Sequence, residues 1–236
     1  AGKLGAGIDL TIARGEIVGI AGLVGSGRST LAKALFGLLA DVTGTIEVAG
    51  RPVALASPTA AIAGGMGFVP EDRRTEGLIG DHDLATNIAL PSLERLRLGG
   101  RWPILLPHCG DKLFEAFRRQ LQIVCRSPRQ EARELSGGNQ QKLVVAKWLA
   151  TNPRLLILDE PTAGVDVNAK AEMRGLMRDA AAAGVGVLLI ASELEELVVV
   201  AHRIVTMVDG RLGRDLPQVE SEADLRAALQ ADIAAL

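Results

Sequence analysis

The chain alternates between short aliphatic runs and longer stretches where apolar residues recur at helical spacing. Ile17 to Ala21, Met66 to Val69, Leu155 to Leu158, Val185 to Ala191 and Ile204 to Val208 carry little polar interruption, the pattern of strands buried in a parallel sheet. Ile8 to Ala13 alternates weakly and Thr45 to Val48 is short. Both predict further strands, closed by turns at Arg14-Gly15 and Ala49-Gly50. Arg28 to Leu39 puts Leu31, Ala34, Leu35 and Leu38 on one helical face. Val167 to Ala183 does the same with Ala169, Met173, Leu176 and Ala180, and Glu222 to Leu236 with Leu225, Leu229 and Ile233. Glu193 to Val200 predicts a short helix. Residues 81–135 are more charged; Leu113, Phe114, Phe117, Leu121 and Val124 predict a packed helix there, and Gly99-Gly100 with Pro103 to Cys109 a break. Strands alternating with helices predict an α/β fold with a mostly parallel sheet and an antiparallel edge from the N-terminal strands. Its core is residues 1–80 and 136–236, with 81–135 as an inserted helical subdomain.

Composition narrows the classes. With 236 residues and 48% apolar content, the chain can bury a full core. Its 26 basic and 28 acidic side chains leave −2, which argues against a nucleic-acid binder and an acidic disordered tail. There is no Tyr, and only four Phe and two Trp, too few rings for a fold that stacks bases. Cys109 and Cys125 frame no disulfide scaffold and no zinc spacing, so a reducing compartment is the simplest reading. Ala1-Gly2-Lys3-Leu4 is not a signal peptide. The most apolar stretch, Gly184 to Val208, is interrupted by Glu193, Glu195, Glu196, His202 and Arg203 and predicts no membrane span.

Three segments carry chemistry. Gly22-Leu23-Val24-Gly25-Ser26-Gly27-Arg28-Ser29-Thr30 nearly matches G-x-x-x-x-G-K-[ST], with an apolar strand before it and a helix after it. Gly22, Gly25 and Gly27 let backbone N–H groups of the loop, with Ser26, turn toward phosphate oxygens, and the helix N-terminus adds its dipole. Ser29 would give a hydroxyl to Mg2+. An ordinary glycine-rich turn is the alternative. Arg28 stands where the motif has lysine: charge is kept, but a planar fork replaces a compact point charge. Leu155 to Leu158 ends in Asp159-Glu160, which suits Asp159 for a Mg2+ shell and Glu160 for orienting or deprotonating water; a solvated turn before Pro161-Thr162 is the alternative. Ser136-Gly137-Gly138-Asn139-Gln140 opens a helix. Two glycines waste helix propensity there unless backbone must approach a second anion.

Leu135-Ser136-Gly137-Gly138-Asn139-Gln140-Gln141-Lys142, Asp159-Glu160-Pro161-Thr162 and Asp166 together resemble the nucleotide-binding domain of ABC transporters over essentially the whole chain. The resemblance implies the ABC-type P-loop fold and an ATPase that uses ATP and Mg2+. It also implies a head-to-tail pair of domains in which Ser136, Gly137, Gly138 and Gln140 cover ATP held by the partner domain's phosphate loop. Gly22 to Arg28, Pro70-Glu71-Asp72-Arg73-Arg74 with Gly77-Leu78, and Gly138 to Lys142 look like the second ATPase domain of ribose-type sugar importers, where arginine in the phosphate loop is usual. Ala163 departs from the usual arginine of that group. Further partners implied are membrane permease subunits and, indirectly, a periplasmic solute-binding protein. The implied location is peripheral, on the cytoplasmic face of the inner membrane. Glu71 to Leu90 would be the permease-docking surface, an ordinary loop being the alternative.

Besides Arg28, two positions depart from an active site of this family. Glu71 falls where a glutamine usually contacts Mg2+ and water, and Ser192 where a histidine usually contacts the γ-phosphate. Ser192 with Glu195 also spells a capping box. His202 is not assigned the histidine's role, and His82 and His108 read as surface residues. The expectation is a domain that binds Mg-ATP, hydrolyses it slowly at its own site, and completes the partner's site. The rivals are a soluble ABC protein without a membrane partner, a regulatory ATP-binding module without turnover, and an importer of nucleosides or other small polar solutes; the intact Asp159-Glu160 favours sugars over nucleosides. The family usually stacks adenine on an aromatic about 25 residues before the phosphate loop. Only 21 residues precede Gly22 and none is aromatic, so a domain cut from a longer polypeptide with an incomplete adenine pocket is expected.

Overall fold

The structure, a computed structural model, describes residues 4–5, 7–54, 57–93 and 109–235. Its elements run β1 (Ile17–Ala21), α1 (Arg28–Leu35), β2 (Ile46–Val48), β3 (Arg51–Val53), α2 (Pro58–Ala63), β4 (Met66–Val69), α3 (Leu84–Ala89), α4 (Cys109–Gln120), α5 (Gly137–Leu149), β5 (Leu155–Asp159), α6 (Val167–Ala182), β6 (Gly186–Ile190), α7 (Leu194–Val200), β7 (Arg203–Val208), β8 (Arg211–Leu216) and α8 (Glu222–Ala234). A wide π-type turn, Arg73–Gly77, follows β4.

Six strands form one sheet in the order β4-β5-β6-β1-β7-β8. All neighbours are parallel except β7 and β8. Every residue of β1, β4 and β6 is buried, so both faces of these strands are covered. That is why they read as unbroken aliphatic runs. One continuous apolar core joins the sheet to Leu84, Ile88, Phe114, Leu121 and Ile123 of the 81–135 region. The parallel order aligns the C-terminal ends of β1, β5 and β6, where the phosphate loop, Asp159-Glu160 and Ser192 follow. This is where open α/β sheets carry ligands.

Several expectations change. Ile8 to Ala13 is not a strand: Ile8, Leu10 and Ile12 turn inward in alternation, but no strand lies beside them, and they line an open cavity of about 330 Å3 shared with β2. The antiparallel strands of the N-terminal region are instead the separate β2–β3 hairpin, and the antiparallel edge of the main sheet is the C-terminal β8. That polar strand, like β3, shows no apolar run. Val124 is exposed, beyond the end of α4. The break around Gly99-Gly100 and Pro103, like His108, lies outside the described residues. No helix among the described residues is long and apolar enough to cross a membrane.

Candidate functional site

The phosphate loop is shaped by its glycines. A Cβ on Gly22 would lie 2.5 Å from the Met207 carbonyl oxygen and 2.6 Å from Ser26 Oγ, so only glycine fits between β7 and the loop. Gly25 (φ +86°) and Gly27 (φ +102°) take the left-handed conformation that side chains resist. Gly27 caps α1 with no side-chain hydrogen bond, which leaves the first-turn N–H groups of α1 without a capping side chain. Ser26 Oγ is buried and has no partner among the described residues. Leu23 and Val24 form the exposed loop tip, and Thr30 is half-buried on α1.

The strand acids meet this loop. Ser29 Oγ donates to Asp159 Oδ1 at 3.0 Å, while Asp159 Oδ2 is buried and has no partner among the described residues. Burial is the largest influence on Asp159 and pushes its pKa up to about 6, against the Ser29 hydrogen bond; the Glu71 and Glu160 carboxylates add to the rise. Glu71, exposed at the end of β4, therefore shares this electrostatic field. An orphaned carboxylate oxygen beside a serine hydroxyl fits a hard divalent cation. Among the described residues no group of three or more His, Cys, Asp or Glu could hold a metal. Mg2+ needs only one or two protein oxygens when phosphates and water supply the rest.

Glu160 is held differently. Its backbone has φ +48°, a strained left-handed value for a non-glycine residue, fixed by its N–H donating to the Ile190 carbonyl at 2.9 Å. Ser192 N–H donates to Glu160 Oε2 at 2.9 Å and Ser192 Oγ–H donates to Oε1. Arg28 closes the group: Nη1 donates to the Ala191 carbonyl at 2.8 Å, Nη2 to Ser192 Oγ at 3.0 Å, and Nη2 lies 3.7 Å from Glu160 Oε1. Only 6% exposed, Arg28 has its pKa lowered by burial, against the pull of Glu160, Asp159 and Glu71. Its fork is thus docked on the end of β6. The Ser192–Glu195 capping box does not form. The helix begins one residue later, with Glu193 at the cap, because the Ser192 hydroxyl is committed to Glu160.

The other loop sits at the start of α5. Ser136 is exposed and extended; its Oγ accepts from Asn139 Nδ2 at 2.9 Å and from Asn139 N–H at 3.5 Å. Gly137 and Gly138 are half-buried. Gln140 differs from the other signature residues: it is buried, with Nε2 donating to the Ala132 carbonyl at 3.2 Å, so it braces the loop from inside. Ser136 is the extended cap residue outside α5, whereas Gln140 lies within the helix and is buried. Asp166 caps α6 through Ala169 N–H at 2.9 Å, and Thr162 Oγ1 donates to the buried Glu196. His202 accepts from Ile17 N–H through Nδ1, a structural role. Sequence reading assigned nothing to Arg73, Lys147 or Glu196; their contacts join distant segments and leave no spacing signal.

Comparisons with known proteins agree with this geometry. A family model described as ABC transporter matches residues 6–163. The chain is similar to the ribose import ATP-binding protein RbsA of Bacillus subtilis (strain 168), with 41% identity over 89% of this chain and 42% of that protein. It is also similar to a putative ribose/galactose/methyl galactoside import ATP-binding protein of Agrobacterium fabrum (strain C58), with 43% identity over 86% of this chain and 40% of that protein. The chain thus spans about two fifths of the length of these curated relatives. Among solved structures it resembles a nucleotide-free ATP-binding cassette from an ABC transporter (TM-score 0.76, 20% identity, 95% of this chain and 88% of that one). It also resembles a cassette solved as a dimer in a post-hydrolysis state with ADP and Pi (TM-score 0.75, 22% identity, 92% and 95%). At these identities the structural likeness speaks for the fold.

Proposed function

The chain belongs to the ABC transporter family, and from that premise we propose that it is one ATP-binding domain of a ribose-class sugar importer whose own site binds Mg-ATP and turns it over slowly. Residues 81–135 act as its helical subdomain, ending in the signature loop. The domain pairs head to tail with a second ATPase domain, docks on permease subunits through Glu71 to Leu90 at the cytoplasmic face of the membrane, and serves a periplasmic solute-binding protein indirectly. The names of the relatives above support the sugar reading.

The observation that carries the proposal is the unequal state of the two acids. Asp159 keeps a free oxygen beside Ser29, whereas both oxygens of Glu160 are engaged by Ser192 and face Arg28. The phosphate loop would hold the triphosphate through the N–H groups opening α1. Ser29 and Asp159 would hold Mg2+, which supplies charge neutralisation on the phosphate oxygens. Hydrolysis requires a water to attack the γ-phosphorus as the bond to the bridging oxygen breaks, with Glu160 taking the water's proton. Both oxygens already accept from Ser192, and turning the carboxylate toward a water breaks those bonds, so chemistry at this site carries an extra rearrangement.

The signature loop has no such constraint. Ser136 is exposed and the half-buried glycines open α5, an arrangement suited to a phosphate presented from outside. ATP-driven closure of two such domains would then give the partner's site its missing donors. The binding half is tested by titrating Mg-ATP onto the protein. Ser29→Ala and Asp159→Asn are each expected to weaken binding by on the order of 10- to 100-fold, the loss of one or two charged contacts. Unchanged affinity in both would contradict the site.

A further inference from the structure

The turn Arg73–Gly77 begins two residues after Glu71 and is tied at both ends. Asp72 Oδ1 accepts from the N–H groups of Arg74 at 2.9 Å and Thr75 at 3.2 Å. Glu76 pairs with Lys33 of α1 at 2.9 Å. The Gly77 carbonyl accepts from Lys147 Nζ, buried on α5. Arg73 reaches out of the turn in another direction. Its Nη1 donates to the Ala163 carbonyl at 3.0 Å and its Nη2 to the Gly164 carbonyl at 3.4 Å, in the loop that follows Glu160. The same Nη2 also lies against the signature: a Cβ on Gly137 would come within 2.9 Å of it. The guanidinium therefore sits between the 163–164 loop and the first residue of α5.

We propose that Arg73 is a positioning residue that locks the 163–164 loop to the start of the signature helix, so that both loops meet the partner domain's ATP as one surface. This rests on the reading that the signature loop acts on the partner's site. The side-chain type follows from the geometry. Two successive carbonyls are gripped by one planar fork with donors at fixed spacing, and only a glycine at position 137 leaves room for Nη2. A lysine offers one point of charge and cannot hold both carbonyls in a fixed orientation. The anchor of the fork is the turn that starts beside Glu71, itself held to α1 and α5. The lock therefore connects the phosphate-loop helix, the signature helix and the loop after Glu160 without touching nucleotide in its own site.

The test uses the full-length protein assembled with its partner domain and membrane subunits, comparing Arg73→Lys, Arg73→Ala and Ser136→Ala. The expected result for both Arg73 variants is a fall in kcat of roughly 10- to 100-fold, the cost of misplacing catalytic groups by about 1 Å, with KM for ATP and Mg-ATP affinity of the separate domain within about twofold of the parent. Full rescue of kcat by lysine would overturn the proposal, because charge alone would then suffice. So would a loss in both variants that falls on KM rather than kcat. The Ser136→Ala arm separates the two claims. If it lowers kcat while the Arg73 variants do not, the lock is wrong and the signature reading stands. If none of the three lowers kcat, the signature reading falls and takes the lock with it.

Discussion

The phosphate loop and the signature loop are both glycine-rich turns that open a helix, yet they are finished in opposite ways. At the first, a left-handed Gly27 leaves α1 uncapped by any side chain, while Arg28 and Glu160 are drawn onto Ser192 within the same domain. At the second, Ser136 caps α5, Gln140 braces the loop from beneath, and the exposed face is left open. Each helix is also backed by a buried charge: Asp159 behind α1, and Lys147 on α5, whose ammonium donates to Gly77 and lies 5.4 Å from the centre of the Trp148 ring. The difference teaches where the work is placed. Under the proposed function, one loop holds a ligand while Glu160, the proposed base, is engaged by Ser192, and the other acts outward.

The largest expected effect concerns the two buried charges, which should respond to pH in opposite directions. Burial raises Asp159 from 3.8 to about 6. Between those values the native protein binds more protons than the unfolded chain, so its stability falls as pH rises through that window. Burial lowers Lys147 from 10.5 to about 8. Between about 8 and 10.5 the unfolded chain binds more protons, so stability rises with pH there. Each shift corresponds to on the order of 3 kcal/mol of strain at neutral pH. Asp159→Asn should flatten the acid limb and Lys147→Met the alkaline limb of the denaturation-midpoint profile of the protein without nucleotide. Identical profiles for parent and variants would remove the comparison's electrostatic basis.

A smaller effect sharpens the same contrast. Ser192→Ala removes the hydroxyl that holds Glu160 Oε1 but leaves the Ser192-position N–H in place. Slow turnover at this domain's own site should rise about three- to tenfold, as expected when a hydrogen bond of about 1 kcal/mol no longer opposes rearrangement. Phosphate release by the protein with its partner site silenced reads this directly; a decrease would mean that Ser192 assists Glu160 instead of holding it back.

Much of this was legible along the chain because the governing forces are local. Strands β1, β4 and β5 read directly, since a strand covered on both faces is almost wholly apolar. The phosphate loop and Asp159 read from spacing, because glycine and carboxylate have few substitutes there. Ile8 to Ala13 shows the limit: its alternation is real, but pairing depends on a neighbour that no local pattern reports. Ser192 shows another, for Ser-x-x-Glu predicts a cap, and the hydroxyl was claimed by Glu160, 32 residues away in sequence. The edge strand β8 and the fork of Arg73 were silent for the same reason, being defined by what they touch across the fold.

The central claim is that hydrolysis is unequally divided, with this domain binding ATP and lending its signature loop. It is tested most directly by placing Glu160→Gln in the full-length transporter and, separately, the same change at the corresponding glutamate of the partner domain. Transport and ATPase rates are measured for each. The account predicts that Glu160→Gln retains most activity while the partner's change abolishes it. Equal and complete loss in both would contradict it.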